Sequence, residues 1–345
     1  MTKSNQSPTY HVTVLGGGSF GTAIANISAL NNHQVTLWMR NEKQADDITQ
    51  NRENSRYLPG LTLHDNLSPS LNLQESVRSA DFVFVAVPSK AFRSVLEEAV
   101  PFLKADAKLI SLTKGIEPHS FKLMSQILQE VVPNHDVGVI SGPNLAKEIA
   151  DDQISATVVA SESPELRAQV QEMLSCQSFR VYGNPDIYGV EMAGAIKNIY
   201  AIVAGLAAAL GMADNTKAAI ITRSLAEMSR FAVKLGANPM TFLGLAGVGD
   251  LIVTCSSKLS RNYRVGYYIG EGLTLKQAIK KIGETAEGIN TLRMVNDKAE
   301  ELGVYMPLVK GLYAVIYEDM PISAIASKLM SGDLAQDVEY MTDQP

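Results

Sequence analysis

A β-branched run over Val12–Leu15 leads without a break into Gly16–Gly21, and an apolar, helix-like segment follows over Thr22–Leu30. Gly16, Gly18 and Gly21 therefore stand in the spacing G-x-G-x-x-G. The first glycine permits a tight strand-to-helix turn, the second lets the backbone approach a pyrophosphate, and the third lets helix and strand pack closely. A phosphate at this turn rests on the exposed N–H groups and the positive dipole end of the helix. Three glycines alone also describe an ordinary turn. The strand before them, the helix after them and their place near the N-terminus make the spacing a dinucleotide-binding fingerprint.

The chain continues as that fingerprint requires. A strand over Gln34–Met39 precedes a polar helix over Glu42–Asn51, and Phe82–Val87 is an unbroken apolar run ended by Pro88. Such a run suits a parallel strand buried on both faces. Leu109–Leu112, Val137–Ile140 and Thr157–Ala160 repeat the theme, with helical stretches such as Phe92–Phe102 and Phe121–Val131 between strands. Alternation of this kind predicts right-handed crossovers and a doubly wound, mostly parallel sheet. From about Asp186 the periodicity turns helical, over Val190–Ala209, Thr216–Leu235, Leu275–Ile282, Thr291–Leu302 and Pro307–Tyr317. Gly183, Asn184 and Pro185 punctuate the change. The expected organisation is a flexible N-terminal extension (1–9), an α/β Rossmann domain (10–185) and an all-α substrate domain (186–345), with a substrate cleft between the two domains.

Composition narrows the partners. With 345 residues, 46% of them hydrophobic, the chain suffices for about two domains. A formal net charge of -6 argues against a broad nucleic-acid surface but leaves room for a local basic pocket. Cys176 and Cys255 are far apart and make no disulfide framework, and the 5 histidines form no metal-spaced cluster. Residues 1–9 are polar and lack the apolar core of a signal peptide. The apolar stretch Ile199–Met212 falls short of the ~20 residues that span a bilayer, so a buried core helix and a soluble, cytoplasmic protein are expected.

Several polar residues stand where chemistry is possible. Arg40 closes the second predicted strand, where NAD-specific folds usually present an acid to the ribose; an arginine suits a 2′-phosphate, and the alternative is a solvated loop residue. Lys114 follows the strand Leu109–Leu112, and Ser141–Asn144 follows another strand in the same way. Carboxyl ends of strands are where doubly wound sheets hold ligands, although a surface lysine and a simple turn fit equally. Lys197 is embedded in a very apolar helix, which is unfavourable for an ammonium unless it is paired, lines a cleft or snorkels to solvent. A partly desolvated lysine has a lowered pKa and becomes usable for proton transfer. A second glycine-rich loop, Leu243–Asp250, ends in an acid that either pairs with Lys197 or caps the next helix. Ser260, Arg261 and Asn262 then offer a phosphate a planar fork and two neutral donors, although such a triplet is also common by chance.

Together these segments resemble the bacterial NAD(P)-dependent glycerol-3-phosphate dehydrogenases over nearly the whole chain. The likeness runs through Gly16–Gly21, Leu37–Arg40, Asn54–Gly60, Ala86–Ser89, Ser111–Glu117, Ser141–Glu148, Glu191–Ala209, Gly211–Met228, Leu243–Asn262 and Glu287–Gly288. It implies interconversion of dihydroxyacetone phosphate and sn-glycerol 3-phosphate with NADP or NAD, feeding glycerophospholipid synthesis, and a homodimer without membrane insertion. By position, it implies nucleotide contacts from Gly16, Gly18, Ser19, Phe20, Gly21, Arg40, Tyr57, Lys114, Ala146, Arg261, Thr285 and Glu287. Substrate contacts fall to Lys114, Gly142, Asn144, Lys197, Asp250, Ser260, Arg261 and Asn262, with Lys197 matching the catalytic lysine. The chain departs from the pattern at Asn144-Leu145, where Ser or Thr before Phe is usual, and at Thr285, where an aliphatic residue is common.

Two rivals compete with this reading. One is another two-domain dehydrogenase acting on a hydroxy acid such as 6-phosphogluconate or a β-hydroxyacid, which shares the fold and a lysine. The other is a non-catalytic NADP-sensing regulator, which has no use for a substrate-side acid. Lys114, Lys197, Asp250 and Arg261 together favour an enzyme, and the 246–250 loop followed by Ser260–Asn262 favours a small phosphorylated triose.

Overall fold

The computed structural model describes residues 8–283 and 286–331, and the expected extension lies outside the described residues as far as residue 7. The chain forms two compact units. The first runs to Thr113 and resumes over Met124–Ile140 and Asn144–Ile187; the second comprises Lys114–Leu123, Ser141–Pro143 and the chain from Tyr188 onward. A single cut near residue 185 therefore misses two short segments, each at the carboxyl end of a strand, that join the helical unit.

The first unit is built on ten strands: β1 (His11–Leu15), β2 (Gln34–Trp38), β3 (Glu53–Asn54), β4 (Leu58–Thr62), β5 (Leu67–Ser70), β6 (Phe82–Val85), β7 (Lys108–Ser111), β8 (Val137–Ser141), β9 (Ser155–Ala160) and β10 (Phe179–Asn184). Eight form one sheet in the order β10-β9-β8-β7-β6-β1-β2-β5, with β3 and β4 as a separate antiparallel pair. Within the sheet β1 pairs parallel with β2 and β6, β2 with β5, β6 with β7, β7 with β8, and β9 with β10. The chain starts in the middle, winds outward to β5, and returns to β6 before stepping out to β10. That reversal puts a switch point between β1 and β6, the place where doubly wound sheets bind ligands.

Side-chain alternation along β6 explains the unbroken apolar run. Phe82 and Phe84 join the core that covers the helix Ser19–Leu30, whereas Val83 and Val85 join the core around Phe92 and Leu96. Within the eight-stranded sheet two strands had no legible signal, β5 and β10, and both are its edges; the short pair β3 and β4 had none either. An edge strand tolerates Pro69, and it tolerates Gly183 and Asn184, which in the sequence read as punctuation.

The second unit packs helices around Ile187–Ala209. This helix has 23 residues, so the expectation of a stretch too short to span a bilayer is corrected: by length and composition it would suffice. Lys197 and Asn198 interrupt the apolar pattern without interrupting the helix. Its most apolar window is 83% buried inside the protein, the situation of a core helix. Glycines set how closely the helix Arg261–Gly270 approaches it. A Cβ at Gly205 would collide with the Tyr263 carbonyl oxygen, and one at Gly266 with the Ile202 carbonyl oxygen. Backbone thus meets backbone at two points, one from each helix.

Behind this crossing lies a buried acid. Glu227 is 2% exposed and accepts hydrogen bonds from the Leu308 N–H at 2.7 Å, the Val309 N–H at 3.4 Å and the Tyr200 hydroxyl at 3.3 Å. It caps the helix Pro307–Tyr317, whose own N-cap, Met306, has no capping side chain. Burial outweighs those donors and pushes its carboxyl up to about 7. The native state then holds a proton that the unfolded chain releases near the ordinary value of about 4.3, so this group's contribution falls as pH rises from about 4.5 to 7. Glu227→Gln keeps an oxygen for Leu308 and cannot ionise. Urea midpoints measured across that window should decline for the parent and flatten for the variant; parallel slopes would assign the dependence to other groups.

Candidate active site

The first unit carries the glycine loop at the carboxyl end of β1. Gly16 has a φ of +125°, which L side chains rarely adopt, and a Cβ there would sit 2.6 Å from the Ala86 carbonyl oxygen just beyond β6. A Cβ at Gly21 would strike the Gly16 carbonyl oxygen, whereas at Gly18 it would meet nothing within 4 Å. The loop is tight where it packs and open where a ligand must approach. Gly18 is the N-cap of Ser19–Leu30 and supplies no capping side chain, so the helix terminus presents its first N–H groups. These observations fit a dinucleotide pyrophosphate. Two residues that sequence reasoning passed over fix the loop: the Gln44 amide donates to the Gly17 carbonyl at 2.5 Å and the Asn54 amide at 3.0 Å. Their sequence signal was weak, because polar residues of a helix and a short strand normally face water.

Around the loop, the Ser19 hydroxyl donates to the Tyr57 carbonyl at 3.1 Å, and Phe20 and Ala146 pack at the margin of the same core. Arg40 is exposed after β2, its guanidinium 5.6 Å from the centroid of the Trp38 ring. Asn144 also belongs to this unit; its amide donates to the Thr157 hydroxyl at 2.8 Å, while its Oδ1 is buried without a hydrogen-bond partner among the described residues.

The second unit brings together residues far apart in sequence. The Asp250 carboxylate, 1% exposed, accepts from Lys197 Nζ at one oxygen and from Lys114 Nζ at the other, the latter at 2.6 Å. Lys114 Nζ also donates to the Gly142 carbonyl at 2.9 Å, and Lys197 Nζ to the Thr254 hydroxyl at 2.5 Å. Thr254 donates in turn to the Asp250 carbonyl at 2.6 Å. Asp250 is therefore a partner of Lys197, and it also stands in the first turn of the helix Asp250–Ser256. Thr254 was given no role from sequence, although it lies on one helix face with Asp250 at a separation of four.

Two ammonium groups share one carboxylate, so the cluster keeps a net positive charge and suits an oxygen that becomes an oxyanion. Burial lowers Lys197 to about 8; the nearby Lys114 charge adds to the fall, and Asp250 opposes it. Cys255, next along the helix, is pushed up to about 12 by burial and stays a neutral thiol. Lys114 passes close over Gly194, where a Cβ would sit 3.6 Å from its stem and 2.5 Å from the Ser141 hydroxyl.

The remaining substrate candidates share a pair of helix N-termini. Ser260 caps Arg261–Gly270 by accepting from the Tyr263 N–H at 3.3 Å, and Arg261 is exposed at the first helical position. Asn262 Oδ1 accepts from the Gly288 N–H at 3.1 Å, which ties this helix to the start of Glu287–Leu302. A Cβ at Gly288 would meet the Asn198 carbonyl oxygen at 2.6 Å, so Asn198, another residue not singled out from sequence, forms part of the same junction. Thr285 lies outside the described residues.

The family model for the N-terminus of NAD-dependent glycerol-3-phosphate dehydrogenase matches residues 11–167, and that for its C-terminus matches residues 186–327. The glycerol-3-phosphate dehydrogenase (NAD(P)+) of Pseudomonas entomophila is 56% identical over 331 residues, covering 96% of this chain and 97% of the relative. That of Alcanivorax borkumensis is 55% identical over 331 residues, with 96% of each chain covered. A crystal structure of glycerol-3-phosphate dehydrogenase from Coxiella burnetii superposes with a TM-score of 0.89 at 34% identity, covering 94% of this chain and 99% of that one. A ketopantoate reductase from Ralstonia eutropha, at 15% identity and a TM-score of 0.58, shares the fold alone.

The geometry around Asp250 makes a prediction about charge. Asp250→Asn removes the anion that holds the proton on Lys197, so the amine should titrate at a pH below that of the parent. Rates of reductive methylation at Lys197, read by peptide mass spectrometry against pH, should show a lower midpoint; an unmoved midpoint would mean that burial alone governs the amine.

Proposed function

Because the chain belongs to the NAD-dependent glycerol-3-phosphate dehydrogenase family, we propose that it interconverts dihydroxyacetone phosphate and sn-glycerol 3-phosphate. The observation that carries the reading is Lys197, buried, held by Asp250 and Thr254 and lowered to about 8. A bound NADP or NAD supplies or accepts the hydride. In ketone reduction the Lys197 ammonium gives a proton to the oxygen that was the carbonyl; in alcohol oxidation the neutral amine takes it back. A group that titrates near the working pH serves both directions, and positioned proton transfer of this kind contributes about 10²–10⁴-fold in rate. Lys114 adds a second positive charge beside the developing oxyanion, and Asp250 keeps both lysines in place. Arg261 and the Nδ2 of Asn262 hold the substrate phosphate, with Ser260, Gly142 and Asn144 completing the substrate side.

On the cofactor side, Gly16, Gly18 and Gly21, with the N–H groups of Ser19 and Phe20, take the pyrophosphate. Arg40 reads a 2′-phosphate, and Tyr57, Lys114, Ala146, Arg261 and Glu287 are assigned to the nucleotide as well. The product supplies glycerophospholipid synthesis, and the working form is a cytoplasmic homodimer.

Purified protein mixed with dihydroxyacetone phosphate and NADPH or NADH should consume the reduced nicotinamide absorbance. No oxidation above the enzyme-free rate with either nucleotide would defeat the reading. Lys197→Ala should lower kcat at least about 100-fold, with nucleotide fluorescence quenching and the thermal midpoint retained; full turnover would remove Lys197 from the chemistry. Arg40→Ala should reduce the ratio of kcat/KM for NADPH to that for NADH, and an unaltered ratio would show that another group reads the 2′-phosphate.

A further inference from the structure

The residue that determines where Asp250 lies has no side chain. Between Gly244 and Asp250 the backbone makes one turn of π-helix, Leu245–Gly249. The Gly249 N–H reaches five residues back to the Gly244 carbonyl at 3.3 Å, and the Asp250 N–H reaches five residues back to the Leu245 carbonyl. The extra residue in such a turn rotates every later side chain away from the direction that α-helical spacing would give it, and π-turns concentrate at functional sites. Asp250 is the first residue after this one.

Only Gly247 lets the turn close. A Cβ built there would lie 2.5 Å from the Phe242 carbonyl carbon and closer still to its oxygen and Cα. These are backbone atoms of a residue that is 1% exposed, so they cannot swing aside as a side chain would. Gly249 offers a contrast within the same turn. Its φ is -62°, which any residue adopts, and a Cβ there would meet the Leu245 side chain at 3.6 Å and the Gly244 carbonyl oxygen at 3.9 Å, both ordinary contacts.

We infer that Gly247 is a positioning residue for proton transfer: by closing the π-turn on the Phe242 backbone it delivers the Asp250 carboxylate between Lys114 and Lys197. The inference rests on the reading of Lys197 as the proton-transfer group. A methyl group at Gly247 forces the turn off Phe242, and Asp250 moves with it. Hydrogen bonds weaken steeply once donor and acceptor leave their narrow range of distance and angle. The groups facing the Lys197 ammonium are Asp250 and Cys255 from the helix Asp250–Ser256, and Lys114 from the segment 114–123. With the thiol neutral, Asp250 is the one negative charge among these groups that holds the proton on Lys197, beside the neutral Thr254 hydroxyl. When Asp250 retreats, burial and Lys114 act unopposed and the proton leaves at lower pH.

The test is the pH profile of kcat for reduction of dihydroxyacetone phosphate, measured on the parent, Gly247→Ala, Gly249→Ala and Asp250→Asn. Reduction needs the protonated lysine, so the parent should lose activity as pH rises through about 8. In Gly247→Ala this alkaline limb should move down by about one pH unit, the same direction as in Asp250→Asn, because an opposite charge at this range shifts a pKa by about 1–3 units. Gly249→Ala should superimpose on the parent. Deleting Val248 removes the extra residue without adding a side chain and should move the limb in the same direction, which covers the case in which Gly247→Ala does not fold. An unmoved limb in Gly247→Ala or in the deletion would overturn the inference, as would a failure of both to fold while Gly249→Ala folds, since the turn would then be a folding element. A parent profile with no alkaline limb would defeat the Lys197 reading itself, whatever Gly247 does.

Discussion

One buried carboxylate shared between two lysines organises the helical unit. Asp250 is almost fully out of water, and an unpaired charge in that position would cost several kcal/mol. The two ammonium groups relieve that penalty, and the threonine and glycine oxygens take donors that the carboxylate leaves over. Removing any one charge leaves the others exposed to the low dielectric, so the cluster holds together as a unit. Its surplus is one positive charge, which the proposed function sets beside the oxygen that changes from carbonyl to alkoxide. The same balance leaves the amine of Lys197 lowered to about 8.

Glycine provides the geometry that the charged residues need. At Gly16 it lets a loop cross the end of a neighbouring strand, and at Gly18 it leaves space open for a ligand. At Gly205 and Gly266 it lets the helix bearing Arg261 lie backbone to backbone against the helix bearing Lys197. Two helices that touch at a residue with no side chain have little freedom to slide, because each glycine faces a carbonyl of the other. The helix carrying Arg261 and Asn262 thus has a defined station relative to the lysine.

Much of this was legible along the chain. The fold class followed from the alternation of apolar runs with helical periodicity, and the interior strands were the clearest because both of their faces are buried. Lys197 stood out as a charge in an apolar helix, and Asp250 as an acid ending a glycine-rich loop. The edge strands β5 and β10 were not legible, since an edge asks less of its residues and admits Pro69 and Gly183. Gln44, Asn54 and Thr254 were also hidden. Their work is done by hydrogen bonds to distant backbone or side chains, and a polar residue carries no mark of whether its partner is protein or water.

The sequence by itself determined the α/β sheet, the phosphate-ready turn at Gly16–Gly21 and the helical second half, because periodicity and glycine spacing act through neighbours in the chain. The tertiary structure decided which charges meet. Asp250 is 53 residues from Lys197 and 136 from Lys114, and nothing local says that one carboxylate serves both. It also decided that the segments 114–123 and 141–143 join the helical unit, and that a π-turn aims the acid. Burial and Coulomb energy depend on distance through space, so the protonation balance at Lys197 exists only once the chain has folded.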